Sequence, residues 1–255
     1  MSKTALVFLH IPKTGGTSLR SSLVEAAGEA RTLYVYSAPW AVDPSELRSL
    51  PRERLEDVEL VFGHIPFGVH RKLGPLRTVY ATVVRNPVDQ VISTYHHHLR
   101  AVTSGEGAQP ANPWQEMISQ GMDLLEYVEM SEPNRSSANR QTWYVAGRPR
   151  GVGDDDPVLL KTARQKIKRR FVAIGTSDRS ADLVPAIARL MGWRDPPPLP
   201  RLNTNPERPD ASEIDPEIVA KIEERNALDL ALYRHVCALE EAGTAIREIE
   251  DVMSQ

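Results

Sequence analysis

The chain has 255 residues, 25% of them charged and 41% hydrophobic, with a formal net charge of −3. This is the composition of an ordinary folded protein with a sizeable core, and it leaves no global positive charge to hold nucleic acid or an acidic membrane. The single cysteine, Cys237, excludes an internal disulfide and a multi-cysteine metal site, and its place among Leu232, Val236 and Leu239 predicts a small buried apolar residue.

Thr4 to Leu9 is a continuous apolar run and predicts a strand buried on both faces. It is too short for a signal-peptide core or a membrane span, and no later segment is long and apolar enough to span one. The expectation is therefore a cytoplasmic chain in a reducing compartment. Thr17 to Ala27 predicts a helix with Leu19, Leu23, Val24 and Ala27 on one face. Thr32 to Tyr36 is a candidate second strand, and Asp43-Pro44 a short helix start. Val58 to Phe62 predicts a third strand that ends in Gly63-His64. Thr78 to Val84 predicts a fourth, ending in Arg85-Asn86-Pro87.

Asn86-Pro87 starts a helix whose Val88, Val91, Ile92, Tyr95 and Leu99 form one apolar stripe. A polar loop follows from Thr103 to Pro113. Helices are predicted over Trp114 to Met130, Arg140 to Val145, Val158 to Arg169 and Ala181 to Met191. Phe171 to Ile174 is a last short strand. Pro196 to Asp210 is a proline-rich loop, and Asp215 caps one long helix reaching about Glu241. The run Asp154-Asp155-Asp156 reads as a solvated loop and helix cap. Short buried strands alternating with helices predict an α/β fold with a parallel sheet, whose ligands bind beyond the carboxyl ends of the strands.

Three strand ends carry chemistry. In "HIPKTGGTSLRSSL", Gly15-Gly16 lets the backbone come close to an anion. Thr17 and Ser18 open a helix whose free N–H groups favour negative charge. Lys13 precedes the glycines, whereas a Walker A loop places its lysine after them. In "VVRNPVDQVISTYHH", Arg85 offers a planar charged fork. Ser93 lies about two turns along the following helix, so the two residues can grip one phosphate. His64 follows a third strand, and an imidazole there suits proton abstraction from an alcohol. His96, His97 and His98 are successive on a helix and cannot share one face. At most His96 or His97, on the Ser93 side, is expected to line a pocket, and no metal is expected. His10 opens the first of these strand ends, and a bland structural reading stands beside the sharp one for it.

These two stretches resemble the cofactor motifs of the PAPS-dependent sulfotransferases, most closely the branch of heparan and chondroitin 2-O-sulfotransferases and their bacterial relatives. "FVAIGTSDRSADL" and "LNTNPERP" resemble further family segments, so that with gaps the likeness runs from about residue 4 to 240. The resemblance implies a P-loop-NTPase-like sheet flanked by helices, with a helical C-terminal part, in one domain over 1–255. It implies 3′-phosphoadenosine 5′-phosphosulfate (PAPS) as sulfate donor and no metal. Lys13 would touch the bridging oxygen and sulfuryl group. Thr14, Gly15, Gly16, Thr17 and Ser18 would wrap the 5′-phosphate, and Arg85 and Ser93 would hold the 3′-phosphate. His64 matches the general base.

The acceptor is expected to be a carbohydrate or small metabolite with a hydroxyl, shaped for by the segment Ala101 to Asn139 and the Pro196 to Asp210 loop. Arg201 and Arg208 are open between clamping an anion and sitting in solvent. A stripe on the C-terminal helix leaves room for a homo-oligomer. The alternatives are a small-molecule kinase of the P-loop type and a non-catalytic module that binds PAP or another bisphosphate nucleotide.

Overall fold

The computed structural model describes residues 4–74, 76–105, 109, 112–130, 138–147, 151–200 and 209–254. Five strands form one sheet in the order β2-β3-β1-β4-β5: β1 (Thr4–Leu9), β2 (Thr32–Val35), β3 (Leu60–Gly63), β4 (Arg77–Val84) and β5 (Phe171–Thr176). All neighbours are parallel, as buried, non-alternating strands predict. Ten helices accompany them among the described residues: α1 (Gly16–Ala27), α2 (Pro87–Ser104), α3 (Pro113–Ser119), α4 (Leu124–Glu129), α5 (Arg140–Ala146), α6 (Pro157–Arg170), α7 (Ser180–Met191), α8 (Pro216–Arg225), α9 (Ala227–Glu241) and α10 (Ile249–Met253).

The sheet is covered on both faces. Val7, Leu9, Val61, Tyr80 and Phe171 pack with Val145, Leu159, Ile167 and Leu232 of α5, α6 and α9. Leu6, Phe8, Phe62, Val79 and Val172 face the other way, onto Leu19 and Leu23 of α1 and Leu183 and Ile187 of α7. Adjacent residues of one strand thus serve opposite layers, which is the period of two a strand imposes. A third cluster joins Val88, Ile92 and Tyr95 of α2 to Trp114, Tyr127 and Ile222. The stripe read from the sequence is its centre.

Several boundaries differ from expectation. Gly16, one residue earlier than anticipated, opens α1. Asp43 makes a tight turn, its carboxylate accepting from the Ser45 N–H at 2.8 Å, and a single 3₁₀ turn follows at Glu46–Ser49 in place of the helix. The span from Trp114 to Met130 is two helices. Gly121 takes φ 102° between them, and Asp123 and Glu126 form a reciprocal capping box that starts α4. The long C-terminal helix is also broken, at the buried Asn226. Asp156 caps α6 as expected, accepting from Val158 N–H at 2.8 Å. Cys237 is half-buried and not fully buried. Arg201 and Arg208 lie outside the described residues. Among the described residues no helix is long and apolar enough to cross a membrane.

Candidate active site

The order β3-β1-β4 places three strand ends side by side, so the loops after Leu9, Gly63 and Val84 meet at one edge of the sheet. Gly63 is required there. A β-carbon on it would lie 1.9 Å from the Val35 carbonyl oxygen, the same oxygen that accepts from His64 N–H at 3.1 Å. Only glycine lets β2 approach so closely and still turn His64 outward.

The first loop is built around strain and straps. Lys13 adopts φ 67°, a left-handed conformation that is uncommon for a residue with a side chain. Arg85 donates from Nη1 to the Lys13 carbonyl at 3.2 Å, and Gln90 donates from Nε2 to the Pro12 carbonyl at 3.0 Å. The Thr14 hydroxyl turns inward to the Ile11 carbonyl at 2.9 Å. Gly15 then takes φ 87° and α1 begins with no side-chain cap and no acidic residue in its first turn. Space around Gly15 is open, with no atom within 4 Å of a β-carbon built on it. An uncapped helix start behind an open glycine is suited to an oxyanion.

Above the loop lies a cleft of about 660 Å³, within the range of small-molecule sites, about 300–1,000 Å³. Lys13, Gly15, Gly16, Thr17, His64, Arg85 and Ser93 all line it. Thr14 and Ser18 do not; Thr14 is buried and its hydroxyl is engaged below the loop. The lining also includes Arg100 and Arg140, giving four cations, and no Asp or Glu among the described residues. A chain of net charge −3 has therefore concentrated positive charge in one concave surface, which attracts and holds anions.

His64 stands at the edge of this cleft. Its ring lies 4.5 Å from that of His10 and 4.7 Å from that of Tyr36, centroid to centroid. Crowding by the cleft walls, then the charges of Arg140 and Arg20, draw its pKa down to about 4. His64 as a residue is exposed, which moderates the desolvation; either way the imidazole is neutral at pH 7 and able to accept a proton. Against Tyr36 packs Trp40, 57% exposed, with the Arg20 guanidinium 5.3 Å from its ring centre.

His10 has a larger part than packing. Its Nδ1 pairs with the Tyr36 hydroxyl at 2.8 Å, and its Nε2 lies over Gly16, 1.7 Å from where a β-carbon would be. Burial, followed by the neighbouring His64 and the cations Arg20, Lys13 and Arg140, holds its pKa well below the usual histidine value. Of the three successive histidines, His97 and His98 line the cleft and His96 does not. The expectation of one at most fails because the cleft runs along a broad face of α2 that takes in Ser93, Thr94, His97, His98 and Arg100. His98 is 9% exposed, and burial first, then His97, Arg140 and Lys13, lowers its pKa to about 4.

Arg140 was missed in the sequence because its placement is set from far away. The buried Asp229 carboxylate accepts from Gln141 N–H at 3.0 Å, Thr142 N–H at 2.7 Å and the Thr142 hydroxyl at 2.6 Å, capping α5 from a different helix. Asn226, at the break before α9, accepts from Asn139 N–H at 2.9 Å. These bonds fix the start of α5 and with it Arg140. Gln109, Asn112 and Trp114 also reach the cleft, so part of the segment expected to shape an acceptor site does border it. Among the described residues no group of three or more His, Cys, Asp or Glu could hold a metal ion.

No family model matches the chain. Over 93 residues it is 33% identical to a protein named Protein-tyrosine sulfotransferase from Arabidopsis thaliana; the match covers 36% of this chain and 17% of that relative. The likeness supports a relationship to sulfotransferases in general, and it spans about one sixth of the relative's length.

Proposed function

We propose that this chain is a sulfotransferase that moves a sulfuryl group from PAPS to a hydroxyl of a carbohydrate or small metabolite. The observation that carries the reading is the shared cleft: an uncapped, glycine-fronted helix start, Lys13, and the Arg85–Ser93 pair, with His64 at its edge. The lysine-first loop motif and the partial match to a sulfotransferase point the same way.

When bound, PAPS supplies an activated sulfur whose bond to the 5′-phosphate oxygen breaks as the acceptor oxygen attacks in line. The chain's own residues hold and compensate charge. The N–H groups from Gly15 to Ser18 receive the 5′-phosphate, with Thr14 contributing backbone only because its hydroxyl is engaged with Ile11. Lys13 faces the charge that grows on the leaving phosphate. Arg85 and Ser93 take the 3′-phosphate, which discriminates this donor from ATP. His64, neutral at pH 7, takes the acceptor's proton. The negative charge of the donor opposes the lowering by Arg140 and Arg20, and a general base contributes roughly 10²–10⁴-fold.

The strand ends facing the cleft carry His64 and Arg85, where metal-assisted phosphoryl transfer asks for a carboxylate; this favours sulfuryl over phosphoryl transfer. The test is turnover of PAPS against a panel of sugars, phenols and aliphatic alcohols. His64→Ala should lose most of kcat with PAP binding kept, and Lys13→Ala should lose kcat as well. Wild-type kcat in His64→Ala would remove the base assignment.

A further inference from the structure

The molecule has a second concavity of similar size, also cationic but with a more apolar lining. It measures about 580 Å³ and lies between α6, α9, β5 and the segment Thr244–Arg247. Its floor is the edge of the main core: half-buried Leu160 and Leu239, backed by the buried Ile167, Phe171 and Ile174. Its rim is cationic, formed by Lys161, Arg164, Lys168 and Arg247, with no Asp or Glu among the described lining residues.

Both halves of this arrangement follow from α6, whose sequence PVLLKTARQKIKRR carries six cations and no acid. Its Leu159, Ala163 and Ile167 are buried in the core, and three of its basic residues, Lys161, Arg164 and Lys168, line the opening. Lys161, Arg164 and Lys168 are exposed and make no ion pair among the described residues. Arg247 is fixed in place. It donates to the carbonyls of Lys168 at 2.6 Å and Ile167 at 2.9 Å, closing the last turn of α6, and so sets a permanent charge beside the floor. Val158 and Ile246, next in sequence to the lining residues Pro157 and Arg247, are 49% and 38% exposed.

A mostly apolar pocket of a few hundred Å³ with a few converging polar groups is what small-molecule ligands select. The sign of those groups chooses the ligand. We infer that this groove binds a single anionic amphiphile, with an alkyl or aryl body on the core residues and a carboxylate or sulfate head between the rim lysines and Arg247. The site is independent of the cleft at the strand ends and does not require the function proposed for it.

The test is displacement of the fluorescent aryl sulfonate anilinonaphthalene sulfonate from the full chain by monomeric oleate, with oleyl alcohol as the neutral comparison and saturating PAP present in a parallel series. One saturable site is expected, competed by oleate, far less by oleyl alcohol, and unchanged by PAP. The surface pair Lys161→Glu/Lys168→Glu should weaken oleate roughly tenfold, the scale of two exposed charge contacts turned repulsive, with thermal stability retained. Leu160→Asp should abolish binding, and its folding is checked by circular dichroism. Binding that does not saturate, equal affinity for the alcohol, insensitivity to the double variant, competition by PAP, or capture only by anionic phospholipid vesicles each overturns the assignment.

Discussion

The side chain of Gln141 closes both backbone hydrogen bonds of Arg85, 56 residues earlier in the chain: it accepts from Arg85 N–H at 2.8 Å and donates to Arg85 C=O at 2.8 Å. Gln141 is buried, so no solvent replaces it. Gln141→Ala should leave two backbone groups unpaired and cost about 1–3 kcal/mol for each that finds no new partner. Because Arg85 also holds the Lys13 carbonyl, affinity for PAP should fall together with stability. Chemical denaturation and PAP titration read the two effects separately.

Asp229 carries the next step of the same support. Asp229→Ala strips three donors of their shared acceptor inside the protein and should destabilise by several kcal/mol, on the order of 1–3 kcal/mol per unsatisfied group. Asp229→Asn keeps one accepting oxygen and should cost less. Equal stability of the two variants in thermal unfolding would contradict the capping role.

The two loop glycines should fail for different reasons. Gly16→Ala drives a β-carbon into His10 Nε2 and must displace that ring, moving the neighbouring His64 with it. Gly15→Ala meets no atom but must hold φ 87°, a backbone penalty of roughly 1–2 kcal/mol. PAP binding should weaken in both, while the imidazole resonance of His64 shifts only in Gly16→Ala, as nuclear magnetic resonance can record.

Acid stability has a defined sign. Burial lowers His64, His70 and His98 to about 4, below their unfolded value of roughly 6.5. The folded state then binds fewer protons than the unfolded state between these values, so stability rises with pH across that window and is lost as pH falls through it. Asp229, raised to about 6 by burial, opposes this trend, because its folded state holds a proton longer than the unfolded state does. Burial lowers His10 and His235 as well, and five histidines against one carboxylate predict a net loss of stability from pH 6.5 to 5, measurable by urea midpoints. PAP should raise the His64 pKa and make its titration visible nearer neutrality.

The sheet was legible because buried parallel strands announce themselves as short apolar runs, and all five were placed to within two residues at each end. The cleft was legible in part, since Lys13, Arg85, Ser93 and His64 sit at strand ends or one helix on. The break between α3 and α4 had local signs, Gly121 and the Asp123–Glu126 box, that the reading passed over. The break at Asn226 had only the residue type as a local sign; its side chain is buried against Asn139, 87 residues away. Arg140 depends on the same distant contacts. The part His10 takes was not legible, because its partner Tyr36 becomes a neighbour only when β1 and β2 flank β3.

The most direct measurement is thermal stabilisation of the chain by PAP beside ADP, 3′-AMP and ATP·Mg²⁺. A ligand present at one hundred times its Kd adds about 2.7 kcal/mol. The account predicts a large shift with PAP, reduced in Arg85→Ala and Ser93→Ala, and little with ADP or ATP·Mg²⁺. A shift with ATP·Mg²⁺ and none with PAP would contradict it.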